Sequence, residues 1–186
     1  ATVEQREPDY NLIQNLAAEC RMPLCYGGGV KTVKQAKRII SLGVEKVALS
    51  SIAIEHSSII PKFAEAVGNQ SVVIVLDVKN HKRGKSFEIF THNGTKPTGK
   101  TPAEYLDDIH KFGIGEIVIN SIDKDGMMEG YDHSLVDDIK PKINVPLTVL
   151  GGAGSLNDIE QLIDRYGIVG AEIRRRHTSE LQSRRN

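Results

Sequence analysis

Tryptophan is absent from this 186-residue chain, cysteine occurs only twice, and aromatic residues make up just 5%. Two cysteines cannot build a disulfide framework, and Cys20 and Cys25 have no second pair or nearby histidine at metal-ligand spacing. They are expected to be buried as small apolar groups, and no metal site is expected. Net charge is also lacking, because 24 basic residues balance 24 acidic ones. A chain without a basic stripe has no electrostatic hold on nucleic acid or an anionic membrane. No run approaches the roughly 18 apolar residues of a membrane span. Ala1 to Asp9 lack the charged-then-apolar order of a signal peptide, so the chain reads as cytoplasmic.

What is present, 39% hydrophobic residues over this length, suffices for one domain with a core. Helical spacing marks Tyr10 to Cys20, and a short apolar run from Met22 to Tyr26 ends at Gly27-Gly28-Gly29. The same order of helix, glycine and strand returns in Thr32 to Leu42, Gly43 and Lys46 to Leu49, then in Ser57 to Val67, Gly68 and Ser71 to Val78. Lys85 to Thr91 alternates and runs into Asn93-Gly94, which predicts a β-hairpin on a long loop. Helix Pro102 to Phe112, strand Glu116 to Ile122, helix Ser134 to Ile139, strand Val145 to Leu150 and helix Leu156 to Tyr166 complete the series. Near-continuous apolar strands between helices imply a parallel sheet covered on both faces.

An internal repeat favours a closed barrel over a doubly wound sheet. Gly27 to Gly43 and Gly151 to Gly167 both span 16 positions and lie 124 apart, which suggests two similar halves with one glycine loop each. The expected fold is therefore α/β, a (β/α)8 barrel, with residues 1–171 forming one partial barrel domain. Five full strands and the start of a sixth at Ile168 are countable; two are expected ahead of Ala1. Residues 172–186 hold five Arg and two Glu and almost nothing apolar, too polar for a barrel strand, and read as a basic tail not native to the fold.

Active groups of such barrels lie at the carboxyl ends of the strands. Gly28, Gly29, Gly151 and Gly152 are there, and glycines let backbone N–H groups approach phosphate oxygens at a helix start. Asp77 is a carboxylate at the end of the apolar run Val72 to Val78, where burial would raise its pKa and suit it to acid/base work; a structural pairing with Lys79 is the plain alternative. In Ser121-Ile122-Asp123-Lys124-Asp125-Gly126, one carboxylate is expected to face the pocket and the other to cap the loop. Lys46 and Glu116 open their strands and belong to the opposite end, where exposed charges are unremarkable. The six histidines share no spacing and are assigned no role.

Together, Tyr26-Gly27-Gly28-Gly29-Val30, Leu76-Asp77-Val78-Lys79, Thr91-His92-Asn93-Gly94, Ser121 to Gly126, Gly130-Tyr131-Asp132 and Gly151-Gly152-Ala153-Gly154 resemble the cyclase subunit of imidazole glycerol phosphate synthase. The match runs in order from Ala1 to about Ala171. The resemblance implies that ammonia attacks a ribulosyl aminoimidazole carboxamide bisphosphate, giving imidazole glycerol phosphate and an aminoimidazole carboxamide ribotide, with no cofactor. It implies a heterodimer in which a glutaminase subunit docks at the amino-terminal face and delivers ammonia through the barrel. Asp77 matches one of two catalytic carboxylates, its partner falling ahead of Ala1. Lys46 and Glu116 match the charged ammonia gate. Gly28, Gly29, Ser50 and Ser51 match the first phosphate site, Gly151 and Gly152 the second, and Asn120, Asp125 and Gly126 the pocket. With one carboxylate of the pair, the chain is expected to show little or no activity, and an inactive fragment that binds phosphate or a partner is a further reading.

Ser50 stands where these cyclases usually carry Asn, and Leu150 where they often carry Ser. Leu24-Cys25-Tyr26 is similar to a cyclase-like branch linked to amidation of surface-polysaccharide sugars, which would keep the glutaminase partner and change the acceptor. A related two-half barrel, the ribotide isomerase of the same pathway, fits the hairpin and the Asp123 to Gly126 motif less well.

Overall fold

In the computed structural model, which describes residues 7–80, 86–167 and 170–171, the short apolar runs are strands and the segments of 3.6 period are helices. Helix α1 (Tyr10–Glu19) leads to β1 (Cys25–Gly27), α2 (Val33–Ser41) to β2 (Lys46–Leu49), and α3 (Ser51–Glu55) with α4 (Ile60–Val67) to β3 (Val72–Asn80). Then come β4 (Phe87–Thr91), β5 (Lys96–Pro97), α5 (Pro102–Ile109), β6 (Glu116–Ser121), α6 (His133–Ile139), β7 (Leu147–Leu150), α7 (Leu156–Tyr166) and β8 (Gly170–Ala171). Asp9, Thr32, Thr101, Asp132 and Ser155 cap their helices, each side chain accepting a backbone N–H of the first turn. A cap of this kind is worth about 1 kcal/mol.

The strands β1-β2-β3-β6-β7-β8 form one parallel path. Pairing with β2 ends at Ile74, so the second half of β3 overhangs its neighbour, and β4 pairs antiparallel along Asp77 to Asn80. The hairpin of β4 and β5 thus satisfies an edge that would otherwise stay unpaired. Val47, Leu49, Ile74, Leu76, Ile117, Ile119, Leu147 and Val149 point from the sheet onto Ile39, Phe63, Leu106 and Val136 of the helices, all buried. The alternate residues, including Lys46, Ala48, Val75, Asp77, Glu116, Asn120 and Thr148, are half-buried on the other face. The result is an open, partial (β/α)8 barrel, with helices on its outer face and the half-buried set on its inner one.

Several details differ from expectation. The inner face is not fully covered, so the strands alternate in burial instead of being buried throughout. The first strand begins at Cys25, leaving Met22 exposed. Cys20, at the C-cap of α1, is exposed, and Cys25 is exposed as well instead of packed in the core, because β1 is an edge strand and alternation turns Cys25 to the inner face. Helix α3 was not foreseen, because five residues are too few to show a period. The sixth parallel strand is β8; residues 168–169, the tail 172–186, His81 and Lys85 lie outside the described residues.

The repeat is present with a different register. Gly28 and Gly29 have φ of 94° and 76°, and Gly151 and Gly152 have φ of 89° and 108°. The N-caps Thr32 and Ser155, and the capping-box residues Gln35 and Asp158, fall in the same relation. Each pair is 123 positions apart, not 124. Helix α2 has 9 residues and α7 has 11, so the terminal glycines Gly43 and Gly167 that suggested the longer offset are not equivalent. The two loops follow β1 and β7, four parallel strands apart along the sheet.

Candidate active site

Parallel pairing brings the carboxyl ends of β1, β2, β3, β6 and β7 to one end of the sheet, and most of the residues singled out above meet there. A cavity of 490 Å³ is lined by Gly28, Gly29, Ser50, Ser51 and Asp77, together with the hairpin residues His92 and Asn93. The positive φ of Gly28 and Gly29 is a conformation that L residues rarely adopt, so the turn that leaves β1 calls for glycine at both positions. The start of α2 is less available than a bare helix end: Gln35 Oε1 already accepts from Lys31 N at 2.8 Å and Thr32 N at 3.0 Å. Among the described residues, the donors left open on this half belong to the glycine loop and the Ser50-Ser51 turn.

Asp77 sits on the inner face of β3, in register with Asn120 on β6. The Asn120 amide donates to Asp77 Oδ1 at 2.8 Å. Burial raises the Asp77 carboxyl above its ordinary value, the Asn120 bond opposes that, Asp125 raises it further and Lys79 lowers it. Lys79 does not pair with Asp77; its ammonium donates to the Gly94 carbonyl at 2.6 Å. Asp125 thus acts on Asp77, whereas Asp123 Oδ2 accepts the Asn80 N–H at 2.8 Å and ties the end of β3 to the β6–α6 loop, a bridge the sequence did not suggest.

Gly151 and Gly152 lie farther round the same end. A Cβ on Gly151 would meet Ser121 O at 2.4 Å and Asp125 N at 3.4 Å, and one on Gly152 would meet Gly130 O at 2.1 Å. The second loop is pressed against the Ser121 to Gly130 segment, with Gly126 in it at φ 74°. Here the helix start is also engaged: Asp158 accepts from Gly154 N at 2.9 Å and Ser155 N at 2.8 Å, and these bonds hold its carboxyl below the ordinary value.

At the amino end of the strands, Lys46 and Glu116 are not separate exposed charges. The Lys46 ammonium lies 2.7 Å from Glu116 Oε2, and the Thr148 hydroxyl donates to Glu116 Oε1 at 2.7 Å. Cys25 is beside this group; its residue stays open at the sheet edge, but the inner face around the sulfur partly desolvates the thiol, and this, then Glu116, push it up to about 11, with Lys46 opposing. The site residues that sequence reasoning passed over are His92, Asn93 and Glu55, all at the first pocket. The Asn93-Gly94 signal was visible, but only as a turn.

The chain matches the model of the family described as "Histidine biosynthesis protein" over residues 1–173. It belongs to that family. Within the family, it is 52% identical over 170 residues to "Putative imidazole glycerol phosphate synthase subunit HisF" of Leptospira interrogans, covering 91% of this chain and 67% of the relative. Identity is 54% over 165 residues to "Putative imidazole glycerol phosphate synthase subunit hisF3" of Vibrio vulnificus, covering 89% and 64%. It is 36% over 163 residues to "Imidazole glycerol phosphate synthase subunit HisF" of Sulfurisphaera tokodaii, covering 88% and 65%. The chain spans about two thirds of the length of these relatives.

Proposed function

We propose that this chain carries the greater part of the cyclase site of a cytoplasmic imidazole glycerol phosphate synthase, which uses ammonia to convert a ribulosyl aminoimidazole carboxamide bisphosphate to imidazole glycerol phosphate and an aminoimidazole carboxamide ribotide. The observation that carries the reading is Asp77, a carboxyl of raised pKa that lines the same cavity as the glycine loop and Ser50-Ser51. A carboxyl so placed keeps its proton to higher pH and can deliver it to a substrate anchored by a phosphate a few ångströms away. Asn120 orients the carboxyl, and Asp125 adds to its proton affinity. Gly151, Gly152 and Gly126 supply the backbone of the second phosphate site. At the opposite end Lys46 and Glu116 form the ammonia entrance, against which a glutaminase subunit docks.

Of the two catalytic carboxylates the family resemblance implies, Asp77 is the one among the described residues, and a cooperating pair tested with one member alone would lose orders of magnitude in rate. The test is therefore made under single-turnover conditions with the bisphosphate and an ammonium salt. A small yield of product, well below one equivalent, is expected from this chain, and none from Asp77→Asn. No product from either overturns the catalytic reading.

A second reading, an ammonia-delivering subunit for amidation of a surface-polysaccharide sugar, is favoured by Leu24-Cys25-Tyr26 ahead of the glycine loop, while Ser50 in place of Asn and Leu150 in place of Ser alter one phosphate contact on each side. Relatives named hisF2 and hisF3 are among those most similar to the chain. Under this reading the glutaminase still binds, while the histidine-pathway bisphosphate does not compete with phosphate for the first pocket.

A further inference from the structure

The hairpin between β3 and α5 has no part in the roles assigned so far, yet its tip is held from several sides. The His92 N–H donates to Ser51 Oγ at 3.2 Å. The Gly94 carbonyl takes the Lys79 ammonium at 2.6 Å, and Lys96 on β5 reaches Glu55 of α3 at 3.0 Å. His92, Asn93 and Gly94 have φ of 54°, 58° and 73°, three consecutive left-handed residues of which two carry side chains. Such a run costs about 1 kcal/mol or more per non-glycine residue and persists where surrounding contacts fix it. Relaxing it would move the tip off the pocket.

The tip's side chains are not equivalent. The His92 ring faces Thr91 Oγ1 at 3.1 Å and Glu55 at 3.7 Å, and the Thr95 hydroxyl donates to the His92 carbonyl at 2.7 Å. Gly94 has no side chain, and a Cβ there would meet Ile122 Cδ1 at 2.7 Å. Asn93 lines the cavity, and its amide makes no hydrogen bond among the described residues. An amide offers two donors and an acceptor, the complement of a vicinal hydroxyl pair.

We infer that Asn93 is a specificity-determining residue that reads a hydroxyl-bearing carbon chain next to the phosphate in the first pocket, while the backbone of His92 positions Ser51 for that phosphate. The inference rests on the phosphate reading of the pocket and goes beyond it by naming what distinguishes a sugar phosphate from bare phosphate. His92 acts through Ser51 and is a positioning residue. Its N–H occupies one lone pair of the Ser51 oxygen and leaves the hydroxyl proton to point into the cavity.

The test titrates the 186-residue chain with two probes, D-ribose 5-phosphate and inorganic phosphate, followed by calorimetry and by backbone amide shifts. Asn93→Gly removes the amide and keeps a residue at ease with positive φ, so the turn is preserved. It should weaken ribose 5-phosphate about five- to tenfold, the worth of one or two hydrogen bonds, and leave inorganic phosphate within about twofold. Asn93→Asp, also tolerant of the left-handed region, puts a negative charge at the pocket and should weaken both probes. Ser51→Ala should weaken both by similar factors. If Asn93→Gly leaves the sugar phosphate unaffected while Ser51→Ala weakens both probes, the inference is overturned and the phosphate site stands. If neither probe responds to Ser51→Ala, the phosphate reading fails and the inference with it.

Discussion

Asp77 and Asn120, 43 positions apart in the chain, stand side by side in register across β3 and β6 and share a 2.8 Å hydrogen bond. The bond favours the ionised carboxylate, burial disfavours it, and burial wins. A carboxyl whose folded pKa is raised binds its proton more tightly in the native state, so ionising it lowers stability. That loss is absent below the ordinary value of 3.8 and complete above the raised one. Asp77→Asn keeps an oxygen for Asn120 and removes the charge. Its urea midpoint should exceed that of the parent at neutral pH, by a margin that shrinks as pH falls toward 3.8. A margin constant over that range would show that desolvation of the charge is not the cause.

The Lys46–Glu116 pair is partly buried, with side-chain exposures of 34% and 17%. Removing the ammonium leaves Glu116 with the Thr148 hydroxyl as its hydrogen-bond partner among the described residues. Lys46→Met should cost about 1–2 kcal/mol, between the worth of an exposed pair and the penalty of orphaning a buried charge. Equilibrium urea unfolding measures it, and Thr148→Val should cost less.

The Cys25 thiol, pushed up to about 11, should be slow toward iodoacetamide in a Cys20→Ser background at neutral pH. Glu116→Gln removes a raising charge and should shift the rate profile to lower pH. Lys46→Met removes a lowering one and should shift it upward. Profiles that coincide for all three proteins would refute this electrostatic account.

Two glycines with positive φ give a paired comparison. At Gly152 a Cβ would lie 2.1 Å from Gly130 O with φ at 108°, whereas at Gly99 nothing is within 4 Å and φ is 71°. Gly99→Ala should cost about 1 kcal/mol for backbone strain alone. Gly152→Ala should cost about 3 kcal/mol or more and loosen the loop beside Asp125. Thermal melts rank the two directly.

Tyr105 on α5 is fully buried, and its hydroxyl donates to the Ala53 carbonyl of α3 at 2.8 Å. Tyr105→Phe leaves that carbonyl without its partner and should cost about 1–2 kcal/mol in urea unfolding. Because α3 begins at Ser51, phosphate affinity should fall as well, whereas a purely global effect would leave native-state binding unchanged.

The sequence was most informative where a residue contradicted its surroundings. A carboxylate closing the apolar run Val72 to Val78 marked Asp77, and adjoining glycines marked both loops. Helix limits followed from periodicity and closing glycines, whereas the capping boxes of Thr32 with Gln35 and Ser155 with Asp158 came from the structure. The approach of Lys46 to Glu116, 70 positions away, depends on strand register and entered only through family resemblance. The exposure of Cys25 depends on its strand lying at an edge, which its neighbours in sequence do not encode. Asn93 was hidden by its own turn signal: Asn-Gly is explained so well by backbone geometry that its side chain prompted no question.

The one-residue change in repeat register matters for anyone who exchanges the halves. Because strand side chains alternate, an offset of 124 equates Tyr26 with Leu150, a helix-facing residue with an inner-face one. An offset of 123 equates Tyr26 with Val149, both helix-facing, and Cys25 with Thr148, both beside Glu116. A chimera spliced at the longer offset would send its oily side chains into the lumen and its polar ones against the helices. Spliced at the shorter, it would keep every strand side chain on its own side of the sheet.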